Sequence, residues 1–325
     1  MINCIITDST AIILLDDGTV LQASINKEML AAIRNASSDE ELISIFKPEY
    51  VKERKECQEN ALLVQSVSKS SILTFKDDSF YLKDISPLSL PKELVEKIKE
   101  AEEKGDKDKI EAYKNFWMLM SLNPDAECRK NLFSFLQKWG MVISKSGLFV
   151  AYRNADIVDS KVGYDKNSVF TDHHSHTTHI KIGEIVRIPR SQCDSDSNVT
   201  CSRGLHLAHR HWIRKNYYGN IGLVCLCNPA DVVAVPMRDM NYGKLRTCAY
   251  LPIDFSEFDI EGNVVPVYTE TGFEPPVTTA VIYTGCISTE EVPEYTVPTE
   301  VAAMQSIEDI LSKVKKQADK WLIER

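Results

Sequence analysis

No stretch of this 325-residue chain approaches the roughly 18 consecutive apolar residues that a membrane-spanning helix needs. The opening "MINCIITDST" has no basic region ahead of its apolar residues, so no secretory signal is expected and the chain should stay in the cytoplasm where it is made. Glycine-rich phosphate loops of the P-loop or dinucleotide type are missing, which removes the commonest nucleotide-binding motifs. Internal repeats, a nucleophile elbow and a visible pair of catalytic carboxylates are missing too. Cysteine is present nine times, but the odd number and irregular spacing argue for free buried thiols rather than a disulfide framework. The one close pair, Cys225-x-Cys227, has a gap that puts both side chains on one face of a strand, which suits packing better than zinc. Basic residues are outnumbered, 38 against 47, and the net charge of −9 gives the whole molecule no attraction to nucleic acid or anionic lipid. Acidic residues are nevertheless absent from Cys201 to Ala230, where Arg203, Arg210, Arg214 and Lys215 leave a local basic face. Histidine is confined as well: all seven lie between His173 and His211.

What is there reads as an α+β protein. With 43% hydrophobic and 26% charged residues, the length suggests two folding units plus appendages. Residues 1–85 read as a small α+β module. "CIITDSTAIILLDDGTVLQASI" forms strands, with Asp17-Gly18 at a hairpin turn. "NKEMLAAIRNA" is a helix capped by Asn26, "SSDEELISIF" a second helix with a capping box from Ser37 to Glu40, and "LLVQSVSKSSILTFKDDSFYLKD" a return to strand. Residues 86–140 form a helical bridge. Pro91 opens its first helix, Gly105 breaks the run, and Pro124 starts a last helix that ends at Gly140. "FWMLM" within it is expected to be packing core. Residues 141–290 form a strand-rich domain built from "GLFVAYR", "EIVRIPR", "IGLVCLC", "DVVAVP" and "TTAVIYTG", with one inserted helix at about residues 207–217. Residues 291–325 are a Pro- and Glu-rich linker and an amphipathic helix. Its Ile307, Leu311, Val314, Ala318 and Trp321 step by four, three, four and three, a seam for the chain's own body or for a homo- or hetero-oligomer.

The chemistry-bearing residues cluster in the third segment. "FTDHHSHTTH" could chelate a metal through His174 and His176 on one strand face, with His206 or Asp172 added, although histidine tracts on loops bind metal without being selected to. "CSRGLHLAHRHWIRKNYY" alternates as a half-buried strand running into a helix. Amide groups at the N-terminus of that helix, reinforced by Arg203 and Arg210, would favour a phosphate or carboxylate, and His206 could donate a hydrogen bond or shuttle a proton. Lys244 and Arg246 alternate on one face of "KLRTC" and extend the basic surface, with Arg246 offering the planar fork suited to phosphate. The ligand-binding candidates are therefore Arg153, His174, Arg203, His206, Lys244 and Arg246. No cofactor and no catalytic set can be named from the residues.

The stretch from "LFSFLQKWGMVISKSGLFVAYRNA" through "HIKIGEIVRIPR", "TCSRGLHLAHRHWIR", "NPADVVAVPMRD" and "KLRTCAYLP", roughly residues 115 to 255, resembles the rIIB family of T-even bacteriophages. Cys201, Ser202, Gly204, Leu205, His206, Lys244 and Arg246 match that family's pattern. His176 stands where the family tends to have glycine, and His179 and Ile180 replace a common Asp-Asn pair. The resemblance implies an early phage protein acting with an rIIA-like partner in lysis-timing control and in overcoming exclusion by a resident prophage. It also implies peripheral association with the host inner membrane, and no established reaction. The order of "FVAYR", "GLHLA" and "GLVCLCNPADVVAVP" is similar to the layout of the ADP-ribosyltransferase fold, in which Arg153 and His206 would grip a dinucleotide. The glutamate of that fold cannot be placed, so binding of a nucleotide-like ligand is expected rather than transfer. The competing expectations are a nucleotide- or NAD-processing enzyme and a nucleic-acid binder using residues 201–230, the latter disfavoured by the net charge.

Overall fold

The computed structural model describes residues 3–7, 9–14, 20–46, 59–83, 88–158, 163–174, 176–213, 221–236 and 243–275. The chain divides into two compact units, Met1–Lys69 and Ser70–Arg325. The strand at 278–285, the linker and the heptad-like helix expected at 291–325 lie outside the described residues.

In the first unit β1 (Asn3–Ile6), β2 (Thr10–Leu14) and β3 (Val20–Ser24) form an antiparallel sheet in that order. Alternation in β2 buries Ala11 and Ile13, and the register sets Ile13 opposite Leu21, so one face carries the core. That core is closed by Ile33 of α1 (Lys27–Asn35) and by Leu42 and Phe46 of α2 (Asp39–Phe46). Asn26 caps α1, its side-chain oxygen accepting the Met29 N–H at 2.8 Å. The capping box of α2 sits one residue later than its sequence pattern suggests. Ser38 Oγ accepts the Glu41 N–H, while the Glu41 carboxylate accepts from the Ser37 N–H and hydroxyl. Those hydrogen bonds hold the Glu41 carboxyl below its ordinary pKa. "LLVQSV" is helical rather than extended: residues 59–67 form α3, with Leu63 and Val67 buried one turn apart. Four-residue spacing of two apolar side chains outweighed the β-branched content.

The second unit opens with the hairpin β4 (Leu73–Lys76) and β5 (Ser79–Leu82), turned by Asp77 and Asp78, both at positive φ. This hairpin falls in the second unit rather than in a module reaching residue 85. Ser70 Oγ donates to Glu102 of α4 (Lys92–Lys104), and Phe80 bridges to Leu90. Leu94, Val95, Ile98 and Ala101 face inward from α4, which ends on Gly105 at φ 66. Next come α5 (Lys107–Ser121), capped by Asp106, and α6 (Ala126–Lys138), capped by Asp125. Phe116, Trp117, Leu119 and Met120 are buried, as expected of packing core.

Nine strands of the described residues make one antiparallel sheet. Its path runs β12 (Val232–Ala234), β13 (Lys244–Thr247), β10 (Leu205–Ala208), β6 (Phe149–Ile157), β11 (Ile221–Cys227), β14 (Ala249–Phe255) and β9 (Val186–Arg187). Beside β6 lie β7 (Phe170–Thr171) and β8 (His179–Ile180). Every residue of β11 is buried, which is why "IGLVCLC" reads as a continuous apolar run instead of alternating. Cys225 and Cys227 are wholly enclosed within it, and burial pushes the Cys225 thiol up to about 12 and the Cys227 thiol well above its ordinary value. The helices are fastened to the sheet through buried Asn123, at the corner between α5 and α6. Its amide donates to the Pro229 and Val232 carbonyls at 2.8 Å each, and its oxygen accepts from Arg190. The helix expected at 207–217 is not formed over its described part. Leu207 and Ala208 belong to β10, and the Trp212 and Ile213 N–H groups bond back only three residues, a pair of tight turns; residues 214–217 lie outside the described set.

A cationic cleft where two strands part

β6 pairs with β11 along seven residues, and β10 pairs with β13 along four. Between β6 and β10 only Ala208 and Tyr152 are paired. Past that point the two strands diverge, and the gap is a cleft of about 930 Å³. Its walls carry Arg153 and Asn154 from β6, Asp172 and His174 from the turn after β7, Ser202 and Arg203 from the loop before β10, His206 from β10, and Lys244 from β13. Five of the six ligand-binding candidates therefore share one cavity. Tyr152 and Trp212 add ring surface that the sequence reading did not select. Trp212 stood inside the acid-free stretch, and an aromatic among unpaired cations was the available signal.

Each cation is held differently. Arg153 donates to the Tyr250 hydroxyl at 2.6 Å and lies 5.1 Å from the centre of the same ring. Lys244 is 5.8 Å from the Trp212 ring centre. Arg203 is exposed. Asp172, the one carboxylate among the described residues that line the cleft, is 9% exposed and accepts the backbone N–H groups of His174 and Thr178 at 3.1 and 3.0 Å. Among the described residues of the lining, three cations face one carboxylate, an excess of two positive charges. His206 sits among them with its Nε2 buried and without a hydrogen-bond partner among the described residues. Burial, reinforced by Lys244, Arg246 and Arg153, lowers its pKa to about 4, so the imidazole is neutral at physiological pH.

Arg246 is the candidate that the structure places elsewhere. It pairs with His206 across β13 and β10, yet its side chain is 0% exposed. Nε donates to the Asp194 carbonyl at 2.9 Å, and the two terminal nitrogens donate to the carbonyls of Val199 and Asp196. The fork suited to phosphate is spent on the chain's own backbone, as a cation at the centre of the loop 194–199. That loop is closed by the Asp194 N–H on the Arg203 carbonyl, and Gly204, at φ 143, lies against the Arg246 stem. Arg246 thus sets the position of the loop that brings Arg203 to the cleft.

The metal candidates do not converge. Among the described residues no three His, Cys, Asp or Glu side chains are placed to hold a metal. His174 and His206 line the cleft, whereas His176 turns with His173 toward Asp156, at 3.8 and 2.9 Å. His176 has φ 53, a conformation that glycine adopts freely, which gives a physical reason for glycine at this position in the pattern it resembles.

No solved structure matches the chain, so the ADP-ribosyltransferase likeness stands on the order of three segments alone, one of which ends in turns rather than a helix. Protein rIIB of Enterobacteria phage T4 is 33% identical over 158 residues, covering 48% of this chain and 46% of that protein. The chain spans about half the length of this curated relative. The family model described as bacteriophage T4 protein rIIB matches residues 82–257, a range that contains every residue lining the cleft. More than half of the chain is covered by that match, and the chain belongs to the bacteriophage T4 rIIB family.

Proposed function

We propose that this chain is an rIIB-type phage regulator that acts by binding rather than by turnover, and that its cleft receives a small anionic, nucleotide-like ligand. In this reading it works in the host cytoplasm with an rIIA-like partner, in lysis-timing control and in overcoming prophage exclusion. Any association with the host inner membrane is peripheral and comes through that partner; no helix among the described residues is long and apolar enough to cross a membrane. The heptad-like seam from Ile307 to Trp321 would supply the pairing helix for that partner or for a second copy.

The observation that supports the ligand most is the charge of the cleft wall. Arg153, Arg203 and Lys244 face a carboxylate already engaged by two N–H groups, in a cavity of the size that small-molecule sites have. One or two phosphate groups would neutralise that excess, and the rings of Tyr152 and Trp212 offer apolar surface to a base or sugar. A thermal-shift screen of nucleotides, NAD, inorganic phosphate and divalent metals tests this on wild type, Arg203→Ala and His206→Ala. Phosphorylated nucleosides are expected to raise the wild-type midpoint, with a smaller rise in both variants. Equal shifts in all three proteins would remove the cleft as the site.

The enzyme reading, processing of a nucleotide or NAD, has one observation in its favour: a neutral imidazole, able to serve as a hydrogen-bond partner to a reacting group, lies in the cleft wall, where burial and its cationic neighbours oppose its protonation. NAD recovered intact after incubation with the protein and host lysate supports binding alone, and release of nicotinamide would favour the enzyme.

A further inference from the structure

Tyr152 also lines a second, smaller cavity, of about 180 Å³, shared with Trp139, Val142, Val150, Arg210 and Tyr268. Among the described residues no carboxylate and no amine lines it. Trp139 follows α6, and its ring is stacked on the buried His209, with centroids 3.9 Å apart and planes 8° apart. The stack is enforced from behind by Gly243, at φ 64. A Cβ there would come within 1.8 Å of the His209 ring and 2.9 Å of the Trp139 ring. One face of the indole is therefore used, while its edge is not: Nε1 is buried and has no acceptor among the described residues. Buried donors are almost always matched in folded proteins, so an unmatched indole N–H in a cavity wall marks the place of an acceptor. The side chain of Arg210, half-buried in the same wall, has no hydrogen-bonding or ionic partner among the described residues.

Two hydrogen-bond donors, one of them a cation, thus border a cavity with an apolar floor and aromatic sides. The complement is an acceptor with one negative charge on a compact flat or apolar body. A phosphate dianion would be under-neutralised by one guanidinium and too polar for Val142 and Val150. We propose that this slot binds a carboxylate carried on a small aromatic or aliphatic group. Its oxygens receive the Trp139 N–H and the Arg210 guanidinium, and its body lies among Val142, Val150 and the rings of Tyr152 and Tyr268. A free aromatic acid presents this chemistry, and so does the C-terminal residue of a polypeptide. Neither Trp139 nor Arg210 lines the larger cleft, so the slot stands or falls independently of the ligand proposed there.

The test is a titration of the ¹⁵N-labelled full chain with benzoate, following the indole N–H resonance of Trp139 assigned through Trp139→Phe. The expected result is a saturable shift of that resonance with benzoate and none with benzamide, and affinity about tenfold weaker in Arg210→Gln. A short peptide ending in phenylalanine with a free carboxylate, set against its C-terminal amide, separates the polypeptide source from the free acid. A Trp139 resonance unmoved by both benzoate and the free-carboxylate peptide would overturn the proposal, as would equal shifts with benzamide or undiminished binding in Arg210→Gln. If Arg210→Gln fails to fold, calorimetry of benzoate binding to Trp139→Phe takes its place, with loss of affinity expected and unchanged affinity decisive against the slot.

Discussion

Arg246 carries a full charge into the interior and donates its side-chain hydrogen bonds there to the carbonyls of Asp194, Val199 and Asp196. Such an arrangement is tolerable because three charge-assisted hydrogen bonds replace the water it lost, and those bonds also give the loop 194–199 its shape. Arg246→Met keeps the stem but strands the carbonyls. It should lower stability by about 3 kcal/mol in urea unfolding and speed amide exchange across 194–204. Unchanged exchange in that loop would show that it holds its shape without the guanidinium. His206 gives a second prediction with a definite sign. Its folded pKa of about 4 lies below the ordinary histidine value, so the unfolded chain binds the extra proton between about pH 6.5 and pH 4. Stability is therefore full above that window and falls as pH drops through it, by up to about 3 kcal/mol. His206→Asn should flatten that part of the stability–pH curve in denaturant titrations; an unaltered slope would mean that other groups carry it. Neither behaviour of these two residues was legible in the sequence. Alternation set His206 on one face of its strand and Arg246 beside Lys244 on one face of theirs, whereas the pairing that sets His206 opposite Arg246 is known only from the structure. What occupies the space in front of Arg246 is a loop some fifty residues away in the chain, and no local pattern announces it.

At the scale of elements, legibility followed the strength of the local signal. Asn26 before α1, Gly105 after α4, and Leu94, Val95, Ile98 and Ala101 along α4 were readable because caps and helical spacing act within a few residues. The run "LLVQSV" misled because a short apolar stretch fits either period until its partners are known. The expected helix after β10 failed for a related reason: its first residues are held by β13, whose register with β10 extends to Ala208 and Lys244. One element contact admits a sharp test. Gly147 has φ 87, and a Cβ there would lie 2.5 Å from the Asn115 carbonyl carbon, backbone of α5 that cannot step aside. Gly147→Ala should cost about 3 kcal/mol or more, seen as a lowered thermal midpoint. Full stability would mean that the turn and α5 are less closely applied than the described geometry requires.

For the whole molecule, a net charge of −9 coexists with a cleft whose described lining carries an excess of two positive charges, so long-range attraction is not what would bring a ligand in. Recognition would rest on short-range contacts where β6 and β10 part, and the sequence showed the residues without showing the parting. Pairing along a strand can be guessed from its pattern; the point where pairing stops depends on the twist of the sheet and on what packs beside it. The most direct measurement is a calorimetric titration of ADP and of adenosine into the full chain and into Arg203→Ala, repeated at two salt concentrations. The account predicts that ADP binds at least about tenfold more tightly than adenosine, that the difference shrinks with added salt, and that Arg203→Ala removes most of it. Equal affinity for ADP and adenosine, or an ADP affinity untouched by the loss of Arg203, would contradict it.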